Sequence, residues 1–96
     1  MWYDGTVEQI RQITRWLESA DEEGWPDQTS LALETLSEVE RMAASKESPD
    51  KGPVQIVPGD PKMQRALPHV RAVVSAMQRR ERRRALESGR TALKEF

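Results

Sequence analysis

The chain has 96 residues, of which 36 % are hydrophobic and 32 % are charged, and its mean hydropathy is −0.77. This length allows one small domain, and the composition is too apolar and too nearly neutral for a fully disordered chain. The absence of cysteine excludes disulfides, thiolate metal sites and a cysteine nucleophile. Because no signal-peptide pattern follows Met1 and no apolar run approaches the ~20 residues of a membrane span, we expect a cytoplasmic protein.

The first predicted element is a helix over about 6–23. Thr6 and Gln9 have the spacing of a capping box, in which each side chain bonds the backbone N–H of the other residue. Apolar residues then recur every three or four positions, as on one face of a helix. These residues are Val7, Ile10, Ile13, Leu17 and Ala20. Gly24 and Pro26 are expected to end the element, since Gly favours the C-terminal cap and Pro does not continue a helix.

A second helix is predicted over about 28–46, with Asp27 or Thr29 as its cap. Its apolar residues spread over a broad face, which suits a helix that packs against two neighbours. Because the turn between the first two helices is short, the sequence predicts an antiparallel helical hairpin.

Residues 48–60 contain three prolines and two glycines, which exclude a helix there. We expect a Pro-rich, extended connection that packs against the hairpin. The alternative is a strand that adds to the sheet edge of a partner, although the apolar run of Val54, Ile56 and Val57 is shorter than a usual strand.

The third predicted helix is long and covers about 61–88, with Asp60 as N-cap and Pro61 at the first position. Pro68 either kinks it or marks the start of a second piece. A two-heptad apolar seam indicates that this helix packs onto the hairpin. The seam consists of Met63, Leu67, Val70, Val74 and Met77. Beyond the seam we expect a polar helix that projects from the core, a stop at Ser88 and Gly89, and a short tail over 89–96. The predicted fold class is therefore all-α.

Side chains that could carry catalysis or bind a metal are few. His69 is the only histidine, so one chain cannot form a site built on two histidines. It could join Glu34 and Glu38 around a metal ion, but the exposed face of a helix explains those carboxylates equally well. No phosphate-binding loop or nucleophile motif is present. We expect no enzymatic activity, no cofactor and no metal.

The charge is strongly asymmetric along the chain. Residues 1–60 hold 5 Lys or Arg and 13 Asp or Glu, whereas residues 61–96 hold 10 Lys or Arg and 3 Asp or Glu. Three interpretations remain open: the basic end binds an anionic partner, the two halves attract each other within one chain, or they pair between chains.

The most specific signal is a run of five arginines in six positions, which surround a helix with guanidinium groups. These are Arg79, Arg80, Arg82, Arg83 and Arg84. Such a run can neutralise phosphates, and a helix fits the DNA major groove. No aromatic residue interleaves it for base stacking, and no known DNA-binding motif surrounds it. It can also bind an acidic protein surface, including the acidic half of this chain. An anionic membrane is a weaker alternative, because no bulky apolar face adjoins the arginines.

Several apolar side chains are candidate anchors for a partner, since aromatic residues dominate binding hot spots. The candidates are Trp2, Tyr3, Trp25, Leu86, Leu93 and Phe96. A place in the core or in the inter-helix turn is the competing interpretation for the aromatic residues, and for Trp16 as well.

These patterns predict a small, non-enzymatic protein-binding module, an adaptor or modulator of a macromolecular partner. We expect it to self-associate through its apolar helix faces. The alternative function is a nucleic-acid-binding accessory protein that uses the basic C-terminal helix. No membrane span and no small-molecule substrate are evident from the sequence.

Overall fold

Helices dominate the part of the chain that the computed structural model describes, which confirms the all-α class. The described residues are 4–19, 21–44, 46–48, 55–57 and 59–96. Within them the elements are α1 (Asp4–Glu18), α2 (Trp25–Ala43), β1 (Lys46–Ser48), β2 (Gln55–Val57), α3 (Pro61–Gln78) and α4 (Arg82–Leu93). The two short strands pair antiparallel, with Glu47 opposite Ile56.

The four described helices pack around two clusters of buried side chains, and Leu36 packs against both clusters. Over the described ranges, the backbones of α1 and α3 each approach the backbones of both α2 and α4. The Thr6 hydroxyl, near the start of α1, lies 4.0 Å from Met42 Sδ near the end of α2. At the other ends of these helices, the ring centroids of Trp16 and Trp25 are 4.9 Å apart. The antiparallel hairpin and a kink at Pro68 stay predictions.

The start of α1 differs from the predicted capping box. The helix begins at Asp4, so Thr6 lies inside it and is buried. Gln9 does not reach back to a backbone N–H; its Oε1 lies 2.9 Å from the hydroxyl of Thr35 on α2. The capping-box prediction is wrong because both side chains serve the contact with α2. The helix also ends at Glu18, earlier than the predicted residue 23.

Pro26 lies in the first turn of α2, so it belongs to the start of a helix and not only to the turn that follows α1. The N-cap is Gly24, and Pro26 lies in the first turn of the helix, so neither predicted cap is used. A proline is tolerated there because the first N–H groups of a helix have no intrahelical partner. The helix ends at Ala43, and β1 starts within the range predicted for its last turn.

The predicted start of α3 is confirmed. Asp60 Oδ1 accepts hydrogen bonds from the backbone N–H groups of Lys62 (2.8 Å) and Met63 (3.1 Å), and Pro61 is the first helical residue. Pro68 lies inside α3 and starts no new helix. Four of the five seam residues are buried and Leu67 is partly buried, so the seam packs into the core as predicted.

The long helix predicted over 61–88 is in fact two helices. The chain leaves α3 at Gln78, turns through 79–81 and enters α4. Arg80 adopts the left-handed conformation, with φ of 57°. Its N–H donates to the carbonyl of Met77 (3.0 Å), and the N–H of Glu81 donates to that of Ala76 (2.8 Å). This is the hydrogen-bond pattern of a Schellman motif, in which glycine usually holds the left-handed position.

Because the chain turns there, α4 folds back onto α3 and α1 and does not project from the core. Gly89 lies buried inside α4 and does not stop it. A Cβ atom at Gly89 would lie 2.7 Å from Thr14 Oγ1, so glycine permits the close approach of α4 to α1. The helix continues to Leu93, well into the predicted tail.

The predicted Pro-rich connection contains β2, while residues 49–54 and 58 lie outside the described residues. The described strands pair with each other. The expected packing of this segment against the hairpin stays a prediction, because Val54 and most of the segment lie outside the described residues. Gly59 closes the connection against the end of α2, where a Cβ atom would lie 2.0 Å from the carbonyl oxygen of Ala43.

The Schellman turn generates a stability prediction. Replacing Arg80 by Gly removes the strain of a left-handed non-glycine residue, which exceeds the added chain entropy, and we expect about 0.5–1 kcal/mol of stabilisation. Arg79 has φ of −92°, so Arg79→Gly should destabilise the protein instead. Urea unfolding followed by circular dichroism measures both. Stabilisation by neither variant, or by both equally, would contradict the turn geometry.

Candidate functional site: the arginine-rich turn

The five arginines of the predicted site occupy the turn between α3 and α4 and the first turn of α4, but they are not equivalent. The side chain of Arg82 is 22 % exposed, compared with 94 % for Arg83 and 74 % for Arg84. Arg79 and Arg80 are exposed. The fold therefore shields the side chain of Arg82 from solvent and leaves the other four arginine side chains exposed.

Arg82 caps the C-terminal end of α1. Its guanidinium nitrogens donate to backbone carbonyls at and just beyond the end of that helix. The acceptors are Trp16 (3.1 Å), Leu17 (3.1 Å) and Ser19 (2.6 Å) for Nη1, and Asp21 for Nη2. The last carbonyls of a helix lack intrahelical partners and carry partial negative charge, so a cation is stabilised there. A single side chain from α4 thus bonds the carbonyls of Trp16 and Leu17 in the last turn of α1, and Ser19 also donates to the carbonyl of Trp16.

Two tryptophans contact the same guanidinium. Its Cζ lies 4.7 Å from the ring centroid of Trp16 and 5.0 Å from that of Trp25, within the range of cation–π attraction. Each indole N–H donates to a carboxylate of the acidic turn: Trp16 to Asp21 at 3.1 Å, and Trp25 to Glu22 at 2.6 Å. Glu22 also lies 3.7 Å from Arg82 Nη2. The turn after α1, which carries Asp21 and Glu22, is therefore joined to the start of α4 through Arg82 and the two tryptophans.

The carboxylate of Asp21 is held in its charged form by this arrangement. Hydrogen bonds from the Trp16 indole and from the backbone N–H of Glu23 lower the pKa of Asp21 below its usual 3.8, and the charge of Arg82 adds to this effect. The side chain is exposed, so the lowered pKa comes from these neighbouring groups and not from burial.

Four arginines remain exposed and form what we call the arginine patch: Arg79, Arg80, Arg83 and Arg84. Arg84 lies 3.4 Å from Glu81 and Arg83 lies 4.0 Å from Glu87, and such exposed pairs contribute little to stability. Arg79 and Arg80 form no ion pair with any residue of the described ranges. The first turn of α4 has no acidic residue and no side-chain cap, so its helix dipole adds to the positive potential.

Other basic residues of the second half pair within the chain. Arg90 on α4 lies 3.3 Å from Glu18 on α1, and Arg65 on α3 lies 2.9 Å from Glu95. Arg82 and Arg90 therefore fit one of the three interpretations of the charge asymmetry, which is attraction between the two halves of one chain. It does not describe the arginine patch.

The predicted apolar anchors are mostly part of the core. Trp25 is 3 % exposed, and Leu86, Leu93 and Phe96 are partly buried against the core clusters. Because α4 folds back, these side chains do not form a separate apolar surface. Trp2 and Tyr3 lie outside the described residues. Within the described part of the chain, the large hydrophobic side chain that stays exposed is Leu33, at 43 %.

Nothing in the described ranges brings together three or more His, Asp or Glu side chains that could hold a metal ion. None of the described helices is both long enough and apolar enough to cross a lipid bilayer. Comparison of the chain with family models, with curated proteins and with solved structures finds no match.

The capping role of Arg82 has no local signal in the sequence, since its neighbours are also arginines. It follows only once α4 folds back and brings this position to the end of α1. Gly24 and Pro26 indicate a turn near Trp16 and Trp25, but they do not indicate which cation lies against the two rings.

Arg82 should therefore contribute far more to stability than its neighbours. We expect Arg82→Ala to lower the free energy of unfolding by about 2–3 kcal/mol, because charged hydrogen bonds and the cation–π contacts are lost together. Arg82→Lys should recover only part of this, since an ammonium cannot bond all the same carbonyls. Arg83→Ala is the control, with an expected change within about 0.5 kcal/mol. Equal effects of Arg82→Ala and Arg83→Ala in urea unfolding would contradict the capping role.

The lowered pKa of Asp21 predicts a specific pH dependence. A carboxylate with a lowered folded pKa stabilises the protein above its unfolded value, and this stabilisation is lost as the pH falls through the folded pKa. In NMR spectra, the indole N–H resonance of Trp16 should titrate with a midpoint below 3.8. Asp21→Asn should abolish that titration. A midpoint at or above 3.8 would show that the indole and the carboxylate are not hydrogen-bonded.

Proposed function

We propose that this protein is a small, non-enzymatic protein-binding module that docks on an acidic surface of a partner protein through the arginine patch. The observation that supports the proposal is that one of the five arginines caps α1 while the other four are exposed. Arg82 caps α1, and because it belongs to the first turn of α4 it also fixes the backbone from which the four exposed arginine side chains extend. A cluster of arginines on an ordered backbone binds with less loss of conformational entropy than a flexible tail does.

Carboxylates beside the arginine patch favour a protein partner over a nucleic acid. Asp21, Glu22 and Glu23 are exposed at the same end of the helices, next to Arg82. The uniformly negative backbone of a nucleic acid would be repelled by them, whereas a protein surface can present both signs of charge. The nearby indoles of Trp16 and Trp25 are engaged with Arg82 and each other, so they are not offered as stacking platforms for bases.

Nucleic-acid binding is the second candidate, and the start of α4 is the observation that favours it. Backbone N–H groups without a side-chain cap and two exposed arginines, Arg83 and Arg84, lie in one helical turn. That combination attracts phosphate groups.

Self-association remains part of the proposal. Within the described residues, the apolar faces of the helices line the core of one chain, and the large hydrophobic side chain that stays exposed is Leu33. One exposed leucine does not make an apolar interface, so the described helix faces do not support this part of the proposal.

The test compares two variants with the same change in net charge. The patch variant replaces Arg79, Arg80, Arg83 and Arg84 by Gln, and the control variant replaces the exposed residues Arg11, Arg15, Arg41 and Arg71 by Gln. Wild-type and variant proteins, checked for helix content by circular dichroism, are used as bait in nuclease-treated extract of the native cells. We expect wild type and control to retain the same salt-eluted protein, and the patch variant to lose it. Equal retention by both variants would contradict the proposal.

Purification without nuclease tests the second candidate. Absorbance at 260 nm that co-elutes with the protein and is stripped by salt would favour nucleic acid. Binding to duplex DNA should then show a log–log salt slope that falls by up to about four in the patch variant, near one per lost phosphate contact. An unchanged slope would exclude the patch as a phosphate-binding surface.

A further inference from the structure

We infer that the cleft between α3 and α4 receives an acidic side chain of the partner protein, which Arg79 and the hydroxyl groups of Ser75 and Ser88 hold by hydrogen bonds. This inference rests on the proposed function and makes it more specific, because it assigns the recognition of one carboxylate to one member of the arginine patch. The cleft lies beside the turn at 79–81 that joins the two helices.

The cleft has a volume of about 310 Å³ and opens to solvent. Ala72 and Ala76 lie on its α3 side, and their short side chains leave this space between the two helices. Ligand sites in proteins start at about 300 Å³, so the cleft is at the lower end of that range. A helix with its side chains is about 10–12 Å across. The cleft therefore admits single side chains of a partner and not a partner helix.

Three hydrogen-bonding side chains line this cleft without a partner in the described part of the chain. Arg79 forms no ion pair there, and the hydroxyl groups of Ser75 and Ser88 form no hydrogen bond. Ser75 and Arg79 are four positions apart at the end of α3, so their side chains are neighbours on one face of the helix. A carboxylate accepts hydrogen bonds from a guanidinium and from hydroxyls together, and bonds to a charged acceptor are the stronger ones.

The other charges of the cleft favour a single carboxylate over a phosphate group. Arg84 lies 3.4 Å from Glu81, and Glu87 lies 4.0 Å from Arg83, so each of these carboxylates already has a cation beside it. Arg79 is the cation of the cleft that has no counter-ion among the described residues. One added negative charge balances Arg79, whereas Glu81 and Glu87 would repel a doubly charged phosphate.

The members of the arginine patch thus differ in their place relative to the cleft. Arg79 and Arg84 line it, whereas Arg80 lines a separate groove between α2 and α3, and Arg83 lines neither. Arg80 and Arg83 therefore attract an acidic surface toward the turn, while Arg79 bonds one of its carboxylates. Arg79 and Arg83 form a matched pair for a test, because both are exposed and only Arg79 lines the cleft.

The experiment measures the binding of small probes to the full chain by NMR titration. The main probe is a peptide of four glutamates with an acetylated N-terminus and an amidated C-terminus, so that its anions are side-chain carboxylates. We expect saturable shifts of the Arg79 Nε–H resonance and of the backbone amides of Ser75 and Ser88. A peptide of four glutamines with a free C-terminal carboxylate, and inorganic phosphate, should both bind more weakly.

Substitutions separate the cleft from the total charge of the arginine patch. Arg79→Gln should weaken binding of the glutamate peptide roughly tenfold, whereas Arg83→Gln should weaken it by about twofold or less, as for an exposed charge. Ser75→Leu leaves the net charge unchanged and fills the cleft, so it should also weaken binding roughly tenfold. Its control is Ser30→Leu at an exposed position of α2, which should bind as wild type does. Circular dichroism checks that each variant keeps its helices.

Each other outcome overturns the inference. Equal weakening by Arg79→Gln and Arg83→Gln would show that the arginine patch acts by its total charge. Unchanged binding by Ser75→Leu would exclude the cleft as the site. Tighter binding of phosphate or of the free C-terminal carboxylate would exclude an acidic side chain as the occupant. A glutamate peptide that does not bind also removes the inference, whereas the proposed function fails only if the patch variant retains the partner in the pull-down as the control does.

Discussion

The end of the fold where α1 ends and α4 begins depends on the contacts of the Arg82 guanidinium group. It bonds the carbonyls that end α1, lies against the rings of Trp16 and Trp25, and belongs to the first turn of α4. Three helices therefore meet at one side chain. Without it, the carbonyl of Leu17 would lose its capping bond, and the first turn of α4 would be attached to α1 by helix packing and by weak exposed ion pairs. The orientation of the arginine patch follows from this contact, because Arg83 and Arg84 come directly after Arg82 in the helix.

The same residue type thus serves two purposes within six positions. One arginine is withdrawn from solvent by carbonyls and aromatic rings, and the others remain exposed on the turn and the helix start. Arg90 and Glu18 continue the attachment of α4 to α1 further along the helix, so part of the basic half neutralises part of the acidic half. The arginines that remain exposed lie on the turn between α3 and α4 and at the start of α4.

Sequence patterns were sufficient where the determining interactions are local. The Asp60 cap, Pro61 at the first position and the seam from Met63 to Met77 all have the predicted roles, because they depend on residues within a few turns. The break at 79–81 was missed because an arginine, not a glycine, holds the left-handed position. Leu86 and Leu93 do not continue the three- and four-residue spacing of the seam that ends at Met77, and this change of register is the sequence signal of the break, since a second helix faces the core at a different angle. The role of Arg82 depends on contacts more than 60 residues away in the chain, so no local pattern could separate it from its neighbours.

Arg82 is immobilised as a cap of α1, whereas the side chains of the neighbouring arginines are exposed. NMR spectroscopy of the arginine guanidinium groups measures this difference, with Arg82→Lys used for assignment. Hydrogen bonds to several carbonyls hinder rotation of the guanidinium, and the ring currents of two tryptophans displace its resonances. We expect separate, displaced Nη resonances for Arg82 and averaged signals for Arg79, Arg80, Arg83 and Arg84. An averaged signal for Arg82, at the same position as the others, would contradict this expectation.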